Sequence, residues 1–273
     1  MNILITGGTG YLGNGLVEAL QYADRVCVYS RDEHKQALMR SKFPGDNMRW
    51  MIGDVRDLQR LRWACRGVDV VIHAAALKRI EVGAYAPSEM VRTNIEGTMN
   101  VIDAAAYCGV EKVVYISSDK AYQPVSPYGL SKAMAECLIL AGNVERIGPM
   151  YSVVRYGNVS GSTGSVIPAW RELLKTSDAV PVTDPECTRF WMDRKEAVDL
   201  VLTTVDTMHG GEINVPDLPA YRIGDLAEAM GAKTRVTGLP EWEKMHESMD
   251  RSHCSESARR MSVDELRTRL EHV

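Results

Sequence analysis

The stretch Thr6-Gly-Gly-Thr-Gly-Tyr-Leu-Gly13 decides the fold of this chain. It follows an apolar, β-branched run at 2–6 and opens a segment of helical period at 13–22. Its glycines have GxxGxxG spacing, which allows a tight turn and lets backbone N–H groups approach a pyrophosphate at a helix N-terminus. Glycines also serve ordinary turns and close helix packing. The strand–loop–helix context favours dinucleotide binding over that simpler role.

The rest of the first half alternates strand-like and helix-like segments. Apolar, β-branched runs alternate with segments of helical period, as expected for βαβ units around a parallel sheet. The sequence therefore predicts an α/β fold with a Rossmann-type, doubly wound parallel sheet. The predicted strands are 2–6, 25–29, 49–52, 69–73, 112–117 and 152–156, and the predicted helices are 13–22, 32–42, 58–65, 88–108 and 128–146.

The pattern of the sequence changes after Gly157. Glycines and prolines then punctuate short segments, which is typical of a smaller, loop-rich region. We predict a dinucleotide-binding domain at 1–157, to which 193–215 returns, and a smaller substrate-binding region at 158–192 and 216–273. The predicted elements here are a helix at 193–208, a strand at 212–215 and, after the capping-box pattern Ser262-Val-Asp-Glu265, a last helix ending near Leu270.

Composition and charge exclude several classes of protein. The chain has 273 residues, with 32 Lys and Arg against 36 Asp and Glu and a formal charge of −4. This charge gives no electrostatic reason to expect binding to nucleic acid or to a membrane surface. No apolar run approaches the ~18 residues of a transmembrane helix, and no secretory leader is recognisable. The six cysteines have no CxxC or zinc-type spacing, so we expect reduced thiols, no metal site and a cytoplasmic protein.

The end of the second predicted strand indicates which nicotinamide dinucleotide the loop would bind. An acidic residue there would hold the adenosine 2′-hydroxyl of NAD. The strand instead ends without one, and Ser30, Arg31 and Lys35 offer a hydroxyl and two cations for the 2′-phosphate of NADP. Asp32 and Glu33 also suit the acidic first turn of the next helix. We expect NADP rather than NAD.

A second group of chemistry-bearing residues follows the fifth predicted strand. Tyr128 and Lys132 are spaced i and i+4, which places both on one face of a helix. A lysine ammonium ion there would lower the pKa of the phenol and could hold a ribose. Ser118, Asp119 and Lys120 lie at the carboxyl end of that strand, where parallel sheets bind their ligands. YxxxK is common in helices and an Asp-Lys pair is often a solvated turn, but their combination favours an active site.

Motifs along most of residues 2–249 match one pattern. They are TGGTGYLG at 6–13, YSRDEHK at 29–35, GDV at 53–55, HAAALK at 73–78, SSDK at 117–120, YGLSK at 128–132, VRYGNVSGSTGSVIP at 154–168, TDPECTRFW at 183–191, MHGGEINVP at 208–216 and GLPEWEKMHESM at 238–249. Together they resemble the extended short-chain dehydrogenase/reductases that act on nucleotide sugars. The resemblance is sharpest to the inverting UDP-N-acetylglucosamine 4,6-dehydratases of bacterial surface-glycan and nonulosonic (pseudaminic) acid synthesis. Two features depart from this family. Thr163 lies where the family tends to have an arginine, and the region after Asp250 is shorter than usual.

The resemblance implies a dehydration in three steps with one bound NADP. Tyr128 would take the proton of the sugar C4 hydroxyl while C4 gives a hydride to NADP; Ser118 would bond that hydroxyl and Lys132 the nicotinamide ribose. Lys120, as a neutral amine, would remove the C5 proton, and Asp119 would protonate the leaving C6 hydroxyl. Burial beside a cation such as Lys132 would lower the pKa of Lys120 for this purpose. Return of hydride to C6 and of a proton to C5 from the opposite face would give a 6-deoxy-4-keto sugar inverted at C5.

The resemblance also implies which residues line the cofactor and the substrate. Some of these have a simpler alternative: the alanines at 74–76 would suit close packing, Asp54 a plain turn, Asn94 a bond to a neighbouring loop and Arg189 a structural ion pair. His73 is expected to be a packed histidine rather than a catalyst. The implied cofactor residues are Gly7, Thr9, Gly10, Tyr11, Leu12, Gly13, Ser30, Arg31, Asp32, Lys35, Asp54, Val55, Ala74, Ala75, Ala76, Thr93, Asn94, Tyr128, Lys132, Val159, Ser160, Gly161, Ser162 and Thr163. The implied substrate residues are Lys78, Asn158, Val166, Arg189, Glu243 and Lys244.

Two other functions stay open. A nucleotide-sugar 4-epimerase or keto-reductase of the same superfamily would use Tyr128 and Lys132 but not the Asp119-Lys120 pair. A non-catalytic, NADP-binding sensor would need neither Tyr128 nor Lys132, and this chain has both. The resemblance further suggests a homo-oligomer assembled through helices near 88–108 and 128–146.

Overall fold

Eleven strands are present in the computed structural model, which describes residues 1–273 except 145–147. They are β1 Asn2–Thr6, β2 Arg25–Ser30, β3 Met48–Ile52, β4 Val70–His73, β5 Lys112–Ile116, β6 Met150–Val154, β7 Ala179–Val182, β8 Thr188–Phe190, β9 Ile213–Asn214, β10 Ala220–Arg222 and β11 Lys233–Val236. Seven of them form one parallel sheet in the order β3-β2-β1-β4-β5-β6-β9. β8 pairs with β10 and β7 with β11 in two small sheets.

Helices connect the strands of the main sheet. They are α1 Tyr11–Ala19, α2 Glu33–Lys42, α3 Leu58–Ala64, α4 Ile80–Tyr85, α5 Pro87–Met90, α6 Gly97–Cys108, α7 Pro127–Ala141, α8 Val166–Leu173, α9 Arg194–Thr207, α10 Ile223–Ala229 and α11 Val263–Leu270. The alternation of strand and helix through the first half confirms the predicted α/β fold.

The strand order reverses at β1, which lies between β2 and β4. Thr6 pairs in register with Tyr29 on one side and with His73 on the other. The chain therefore adds β2 and β3 on one side of β1, and β4 and the later strands on the other side. A crevice forms where the two directions diverge, beyond the carboxyl ends of β1 and β4. This reversal confirms the doubly wound topology and positions the site.

Two hydrophobic clusters cover the two faces of the main sheet. Ile3 and Ile5 belong to one cluster and Leu4 to the other, because successive side chains of a strand point to opposite faces. The first cluster includes apolar residues of α1 and α9, and the second includes residues of α3, α6 and α7. With both faces buried, the strands consist of nearly continuous apolar residues.

A third cluster lies outside the main sheet. It joins Ile167 and Trp170 of α8 with Trp191, Tyr221 and Leu266. These residues come from the two segments assigned to a smaller substrate-binding region, but the exact domain boundaries stay a prediction. β9 pairs with β6, so the chain does rejoin the main sheet at 213–214.

Two predicted helices differ from the observed ones. The helix predicted at 88–108 is observed as α5, a π-helical turn at Val91–Glu96, and α6. Single π-helical turns within α-helices are rare and short, so the sequence pattern does not reveal this one. The helix predicted at 128–146 runs from Pro127 to Ala141, and its predicted end lies outside the described residues. The short elements α4, α8, α10, β7, β8, β10 and β11 were not predicted, because runs of three to eight residues carry little periodicity.

Within the described part of the chain, no helix combines the length and the apolar character needed to cross a membrane. The same residues contain no group of three His, Cys, Asp or Glu side chains arranged to hold a metal ion.

Candidate active site

The glycine-rich loop lies at the carboxyl end of β1. Gly7 has a left-handed φ of +68°, and a Cβ there would lie 2.8 Å from backbone atoms of Ala75, so the position requires glycine. A Cβ at Gly13 would lie 2.4 Å from the carbonyl oxygen of Gly8. α1 begins after an N-cap, Gly10, that makes no side-chain hydrogen bond to the helix. The first amide groups of α1 are thus suited to a pyrophosphate.

A cleft of 560 Å³ extends from this loop across the strand ends. The predicted site residues that line it are Gly7, Thr9, Gly10, Tyr11, Leu12, Gly13, Ser30, Arg31, Asp32, Ala74, Ala75, Ala76, Lys78, Ser118, Lys120, Tyr128, Lys132, Asn158, Val159, Ser162, Thr163 and Val166. The residues that line it without having been predicted are Arg79, Ile80, Glu81, Ile116, Ser117, Tyr156, Gly157, Gly164 and Ser165. All of these lie within three positions of a predicted residue along the chain, so a wider window around each motif would have found them.

Other predicted site residues lie behind the walls of the cleft. Asn94 accepts a hydrogen bond from Leu77 N at 2.8 Å and donates to Leu77 O and Ser131 Oγ, both at 2.9 Å. It therefore braces the loop after β4, which is the simpler alternative that the sequence left open. Val55 is packed in the second hydrophobic cluster. A second, smaller cavity adjoins this cleft. The predicted residues that line neither of the two are Lys35, Asp54, Val55, Thr93, Asn94, Asp119, Ser160 and Gly161.

The end of β2 meets the cleft through Ser30, Arg31 and Asp32. Arg31 is half exposed and forms an ion pair with Asp54 at 3.5 Å. Asp32 caps α2 by accepting a hydrogen bond from Lys35 N at 2.9 Å, and Lys35 Nζ lies 3.3 Å from the same carboxylate. At this end Arg31 lines the cleft, whereas the exposed Lys35 does not line it and is paired with Asp32.

The Ser118-Asp119-Lys120 segment forms a compact polar group. The Ser118 hydroxyl donates to Asp119 Oδ1 at 2.8 Å, and Lys120 Nζ donates to the same oxygen at 3.1 Å. Lys120 Nζ also donates to Asn158 Oδ1 at 3.2 Å. Asp119 is fully buried, and its Oδ2 has no hydrogen-bond partner among the described residues. Burial raises the pKa of Asp119 even though Lys120 opposes the rise, so this pair is not a solvated turn.

Tyr128 projects from the first turn of α7. Ser126 caps that helix by accepting a hydrogen bond from Gly129 N at 3.1 Å, and Pro127 occupies its first position. Burial raises the pKa of the Tyr128 phenol, and the nearby Lys120 ammonium ion opposes that rise. We expected Lys132 to do so, and the structure corrects that expectation.

Lys132 is buried one helical turn after Tyr128. Its Nζ donates to the backbone oxygen of Ile116 and lies 4.0 Å from the centre of the Tyr115 ring. Burial lowers the pKa of Lys132 to about 7, with a partly compensating rise from Glu136. Its ammonium ion is therefore only partly populated at neutral pH, and it lines the cleft where a ribose would bind.

The protonation of Lys120 also differs from the expected one. Burial lowers the pKa of Lys120, but the carboxylates of Asp119 and Glu247 together outweigh burial and raise it above its usual value. The sequence predicted a lowered pKa through a neighbouring lysine. Two nearby carboxylates hold Lys120 as an ammonium ion instead, so its use as a base requires a proton transfer within the site.

A second cavity of 300 Å³ adjoins the cleft through Lys120, Asn158 and Val166. The predicted substrate residues Arg189, Glu243 and Lys244 line it. Arg189 is buried, and its guanidinium lies 2.5 Å from Glu243. Lys244 Nζ donates to the backbone oxygen of Tyr122 at 2.6 Å. Arg189 thus forms the structural ion pair that was the simpler alternative for it, and it also lines the cavity.

Glu247 is a site residue that sequence reasoning missed. It is 2% exposed and lines the second cavity. Its Oε1 lies 3.4 Å from Lys120 Nζ, and its Oε2 lies 3.4 Å from Lys244 Nζ. Burial raises the pKa of Glu247, but Lys120, Arg189 and Lys244 outweigh burial and lower it. Only the fold brings this carboxylate to Lys120, since the two are far apart in the sequence.

His73 is the packed histidine that the sequence predicted. Its ring nitrogens lie 2.7 Å from Thr6 Oγ1 and 3.1 Å from Thr98 Oγ1. The side chain is fully buried, which lowers its pKa to about 3 and keeps it neutral. It links β1, β4 and α6 beneath the glycine loop.

Comparison with known proteins gives a consistent picture. The family model described as Polysaccharide biosynthesis protein matches residues 3–266. A "UDP-N-acetylglucosamine 4,6-dehydratase (inverting)" of Campylobacter jejuni subsp. jejuni serotype O:23/36 (strain 81-176) is 44% identical over 263 residues, which cover 92% of this chain and 79% of that protein. A "UDP-glucose 4-epimerase" of Rickettsia bellii (strain RML369-C) is 40% identical over 262 residues, which cover 90% of this chain and 76% of that protein.

Solved structures share the whole fold. The X-ray structure of Pen from Bacillus thuringiensis superposes with a TM-score of 0.94 and 33% identity, covering 100% of this chain and 98% of that one. DesIV, a dTDP-glucose 4,6-dehydratase from Streptomyces venezuelae solved with NAD and TYD bound, gives a TM-score of 0.84 with 23% identity and covers 99% of this chain and 96% of that one. At that identity the likeness to DesIV concerns the fold alone.

Proposed function

The chain belongs to the polysaccharide biosynthesis protein family, and from this premise we propose that it is a nucleotide-sugar 4,6-dehydratase. It acts on UDP-N-acetylglucosamine with NADP and gives a 6-deoxy-4-keto sugar inverted at C5, for surface-glycan or nonulosonic acid synthesis. The observation that carries this proposal is the Asp119-Lys120 pair, in which a buried carboxylate holds a lysine that lines the cleft near Tyr128. An epimerase needs the tyrosine but has no use for the pair.

The cleft suits a nicotinamide dinucleotide. The glycine loop and the N-terminus of α1 would hold the pyrophosphate, and Lys132 would bond the nicotinamide ribose. Arg31 and Ser30 line the other end, where a 2′-phosphate would lie. The half-exposed Arg31 could exchange its 3.5 Å ion pair with Asp54 for this phosphate, which favours NADP over NAD.

The first step oxidises C4 of the sugar. The bound nicotinamide would supply the hydride chemistry, accepting a hydride from C4 and later returning it to C6. Tyr128 takes the proton of the C4 hydroxyl, and the Lys120 ammonium ion near its phenol favours the phenolate that this requires. The Ser118 hydroxyl is placed to hydrogen-bond the C4 oxygen.

The second step eliminates water. A proton moves from Lys120 Nζ to Asp119 Oδ1 over 3.1 Å, which yields a neutral amine and a carboxylic acid together. The amine then removes the acidic C5 proton, and the proton of Asp119 passes through the Ser118 hydroxyl, which lines the cleft, to the C6 hydroxyl, which leaves as water. The raised pKa of Asp119, which its burial causes, favours the acid form needed here.

The second cavity is suited to the nucleotide diphosphate. Arg189, Lys244 and Lys120 supply three cationic side chains around it, against the carboxylates of Glu243 and Glu247. Arg189 could exchange its contact with Glu243 for a phosphate oxygen. The sugar would then lie between this cavity and Tyr128, where the two spaces share Lys120 and Asn158.

The alternative is a UDP-sugar 4-epimerase, which the similarity to the Rickettsia bellii protein favours. Mass spectrometry of UDP-N-acetylglucosamine after incubation with the protein and NADP separates the two functions. We expect a product lighter by one water, and in deuterated solvent a deuterium at C5. A product of unchanged mass with an altered C4 configuration would favour the epimerase, and no product from UDP-sugars would contradict both.

We also propose a homo-oligomer that forms through α6 and α7. Met99 and Tyr107 of α6 are 52% and 72% exposed, and Leu130 and Met134 of α7 are 58% and 51% exposed. Large exposed apolar side chains on neighbouring helices are typical of an interface. Light scattering in solution tests this, and a monomer at micromolar concentration would contradict it. A cytoplasmic location stays a prediction.

A further inference from the structure

We infer that Glu247 is a positioning residue of this active site, whose buried carboxylate holds the Lys120 amine at the cleft and sets the pH range in which the Asp119-Lys120 pair works. Glu247 has this role only within the proposed reaction, so the inference rests on the proposed function.

Three oxygens surround Lys120 Nζ. They are Asp119 Oδ1 at 3.1 Å, Asn158 Oδ1 at 3.2 Å and Glu247 Oε1 at 3.4 Å. Asp119 and Glu247 are 0% and 2% exposed, so water cannot satisfy their charges. Buried carboxylates are stable only with cationic or hydrogen-bonding partners. Lys120 is therefore fixed between two carboxylates, of which the reaction described above uses only Asp119.

Hydrogen bonds to Ser255 hold the backbone of Glu247, and the Glu247 carboxylate takes no part in them. Glu247 N donates to Ser255 Oγ at 2.9 Å, and Ser255 N donates to Glu247 O at 2.8 Å. A substitution that removes the charge but keeps the shape of Glu247 is therefore expected to leave this segment in place. The electrostatic role of the side chain can be tested separately from its structural role.

Other charged and titratable groups face Lys120 and Glu247 from the elements packed around them. Tyr128 lies on α7, Arg189 on β8 and Tyr221 on β10, and all three interact electrostatically with Lys120. Lys244 Nζ lies 3.4 Å from the second carboxylate oxygen of Glu247, as an ion pair. The remaining neighbours are Glu243, which pairs with Arg189, and His246, which bonds Thr188 and faces Glu256.

The elimination requires a neutral Lys120 and a protonated Asp119 at the same time. One proton shared by the pair gives both, because the N–H bond of Lys120 breaks as the O–H bond of Asp119 forms. The pair loses this proton at high pH and gains a second one at low pH, so the rate should have an acidic and a basic limb. The negative charge of Glu247 favours the protonated form of both groups, and it therefore displaces both limbs to higher pH.

The test is the pH dependence of kcat for dehydration of UDP-N-acetylglucosamine. In Glu247→Gln we expect both limbs to move to lower pH by about 1 to 3 pH units, since a nearby charge changes a pKa by about that amount. Glu247→Asp, which keeps the charge but withdraws it by one methylene, should move both limbs in the same direction by a smaller amount. Glu256→Gln is the matched control: it removes an exposed carboxylate in the same segment, so its limbs should stay at the parent positions.

Limbs of Glu247→Gln that coincide with those of a folded, active parent would overturn the inference and leave the proposed function intact. A parent that forms no dehydrated product at any pH would overturn the proposed function and this inference with it. If Glu247→Gln does not fold, Glu247→Asp alone decides, because withdrawing the carboxylate by one methylene should move both limbs slightly to lower pH. Limbs of Glu247→Asp at the parent positions would then overturn the inference.

Discussion

Lys120 and Lys132 show how neighbours decide the charge of a buried lysine. Both side chains are largely buried, and burial alone disfavours the ammonium ion. Lys132 has a backbone oxygen and an aromatic ring as its nearest partners, and its pKa falls to about 7. Lys120 faces Asp119 and Glu247, which reverse the effect of burial. The two lysines therefore differ in how far their ammonium forms are populated at neutral pH, and this difference fits the roles in ribose binding and proton transfer that we propose for them.

Lys120→Ala tests the residue that separates a dehydratase from an epimerase. Exchange of the substrate C5 hydrogen with deuterated solvent should fall about 10²-fold or more, and dehydration with it. The variant should also lose about 3 kcal/mol of unfolding free energy at neutral pH, because two buried carboxylates lose their cation. This loss should shrink as the pH falls, since protonation neutralises both carboxylates.

Lys195→Ala, which removes an exposed lysine of α9, is the control for both measurements. Exchange at C5 by Lys120→Ala at the parent rate would show that Lys120 is not the base.

Tyr128→Phe tests the first oxidation. NADP binding should be nearly unchanged, while turnover should fall about 10²- to 10⁴-fold, because the phenol that accepts the C4 hydroxyl proton is missing. Stopped-flow absorbance of NADPH with bound substrate measures this step directly. Tyr22→Phe, which alters an exposed tyrosine after α1, provides the comparison. Near-parental NADPH formation in Tyr128→Phe would exclude the phenol as the base.

At the scale of elements, turns rather than regular structure place the reacting groups. Asp119 N donates to Tyr156 O at 2.9 Å, which ties the turn after β5 to the segment after β6. Ser118 Oγ accepts from Lys120 N at 3.3 Å and closes a 3₁₀ turn at Asp119–Ala121. These bonds hold Asp119 and Lys120 at the strand ends, where the glycine loop and α7 also converge.

The junction of β2 and α2 is where we propose that the choice between NADP and NAD is made. Arg31→Asp removes the cation that lines the cleft and introduces a repulsive charge, so the ratio of NADP to NAD affinity should fall about tenfold or more. Fluorescence titration with both reduced cofactors measures this ratio. Arg40→Asp makes the same change of charge in the last turn of α2 and should leave the ratio unchanged. An unaltered ratio in Arg31→Asp would contradict the assignment of the 2′-phosphate site.

At the scale of the whole molecule, one buried arginine joins the main sheet to the segment that carries Glu247. Arg155 follows β6 and contacts Glu136 of α7 through two bonds, at 2.9 and 2.5 Å. Its guanidinium also donates to the backbone oxygen of Met249. The substrate side of the cleft is thereby tied to the dinucleotide side.

Arg155→Met should lower the unfolding free energy by about 3–5 kcal/mol, because Glu136 becomes a buried carboxylate without its cation. The double variant Arg155→Met, Glu136→Leu should recover most of this loss, since both charges are then absent. Urea denaturation measures both, and Arg259→Met, in an exposed pair with Glu265, should change little. Equal stability of Arg155→Met and the parent would contradict this role of the ion pair.

The sequence by itself determined the parallel sheet and the place of the site. Alternating apolar strands and helices require a doubly wound sheet, because each strand must be covered on both faces. A glycine-rich turn after β1 and polar residues after β5 then place the candidate site at the carboxyl ends of the strands. These are local patterns, which a linear reading can detect. The roles assigned to the individual site residues stay proposals.

Only the tertiary structure decided the protonation of the site and the use of individual side chains. The pKa of Lys120 is raised by Asp119, its neighbour in the chain, together with Glu247, which a distant segment brings against it. Asn94 braces a loop because Leu77 and Ser131 converge on its amide. A pKa depends on burial and on charges within a few ångströms, and these are set by residues that chain spacing does not bring together. The sequence therefore identified the candidate reacting groups, while the fold determined the charges and the burial that act on them.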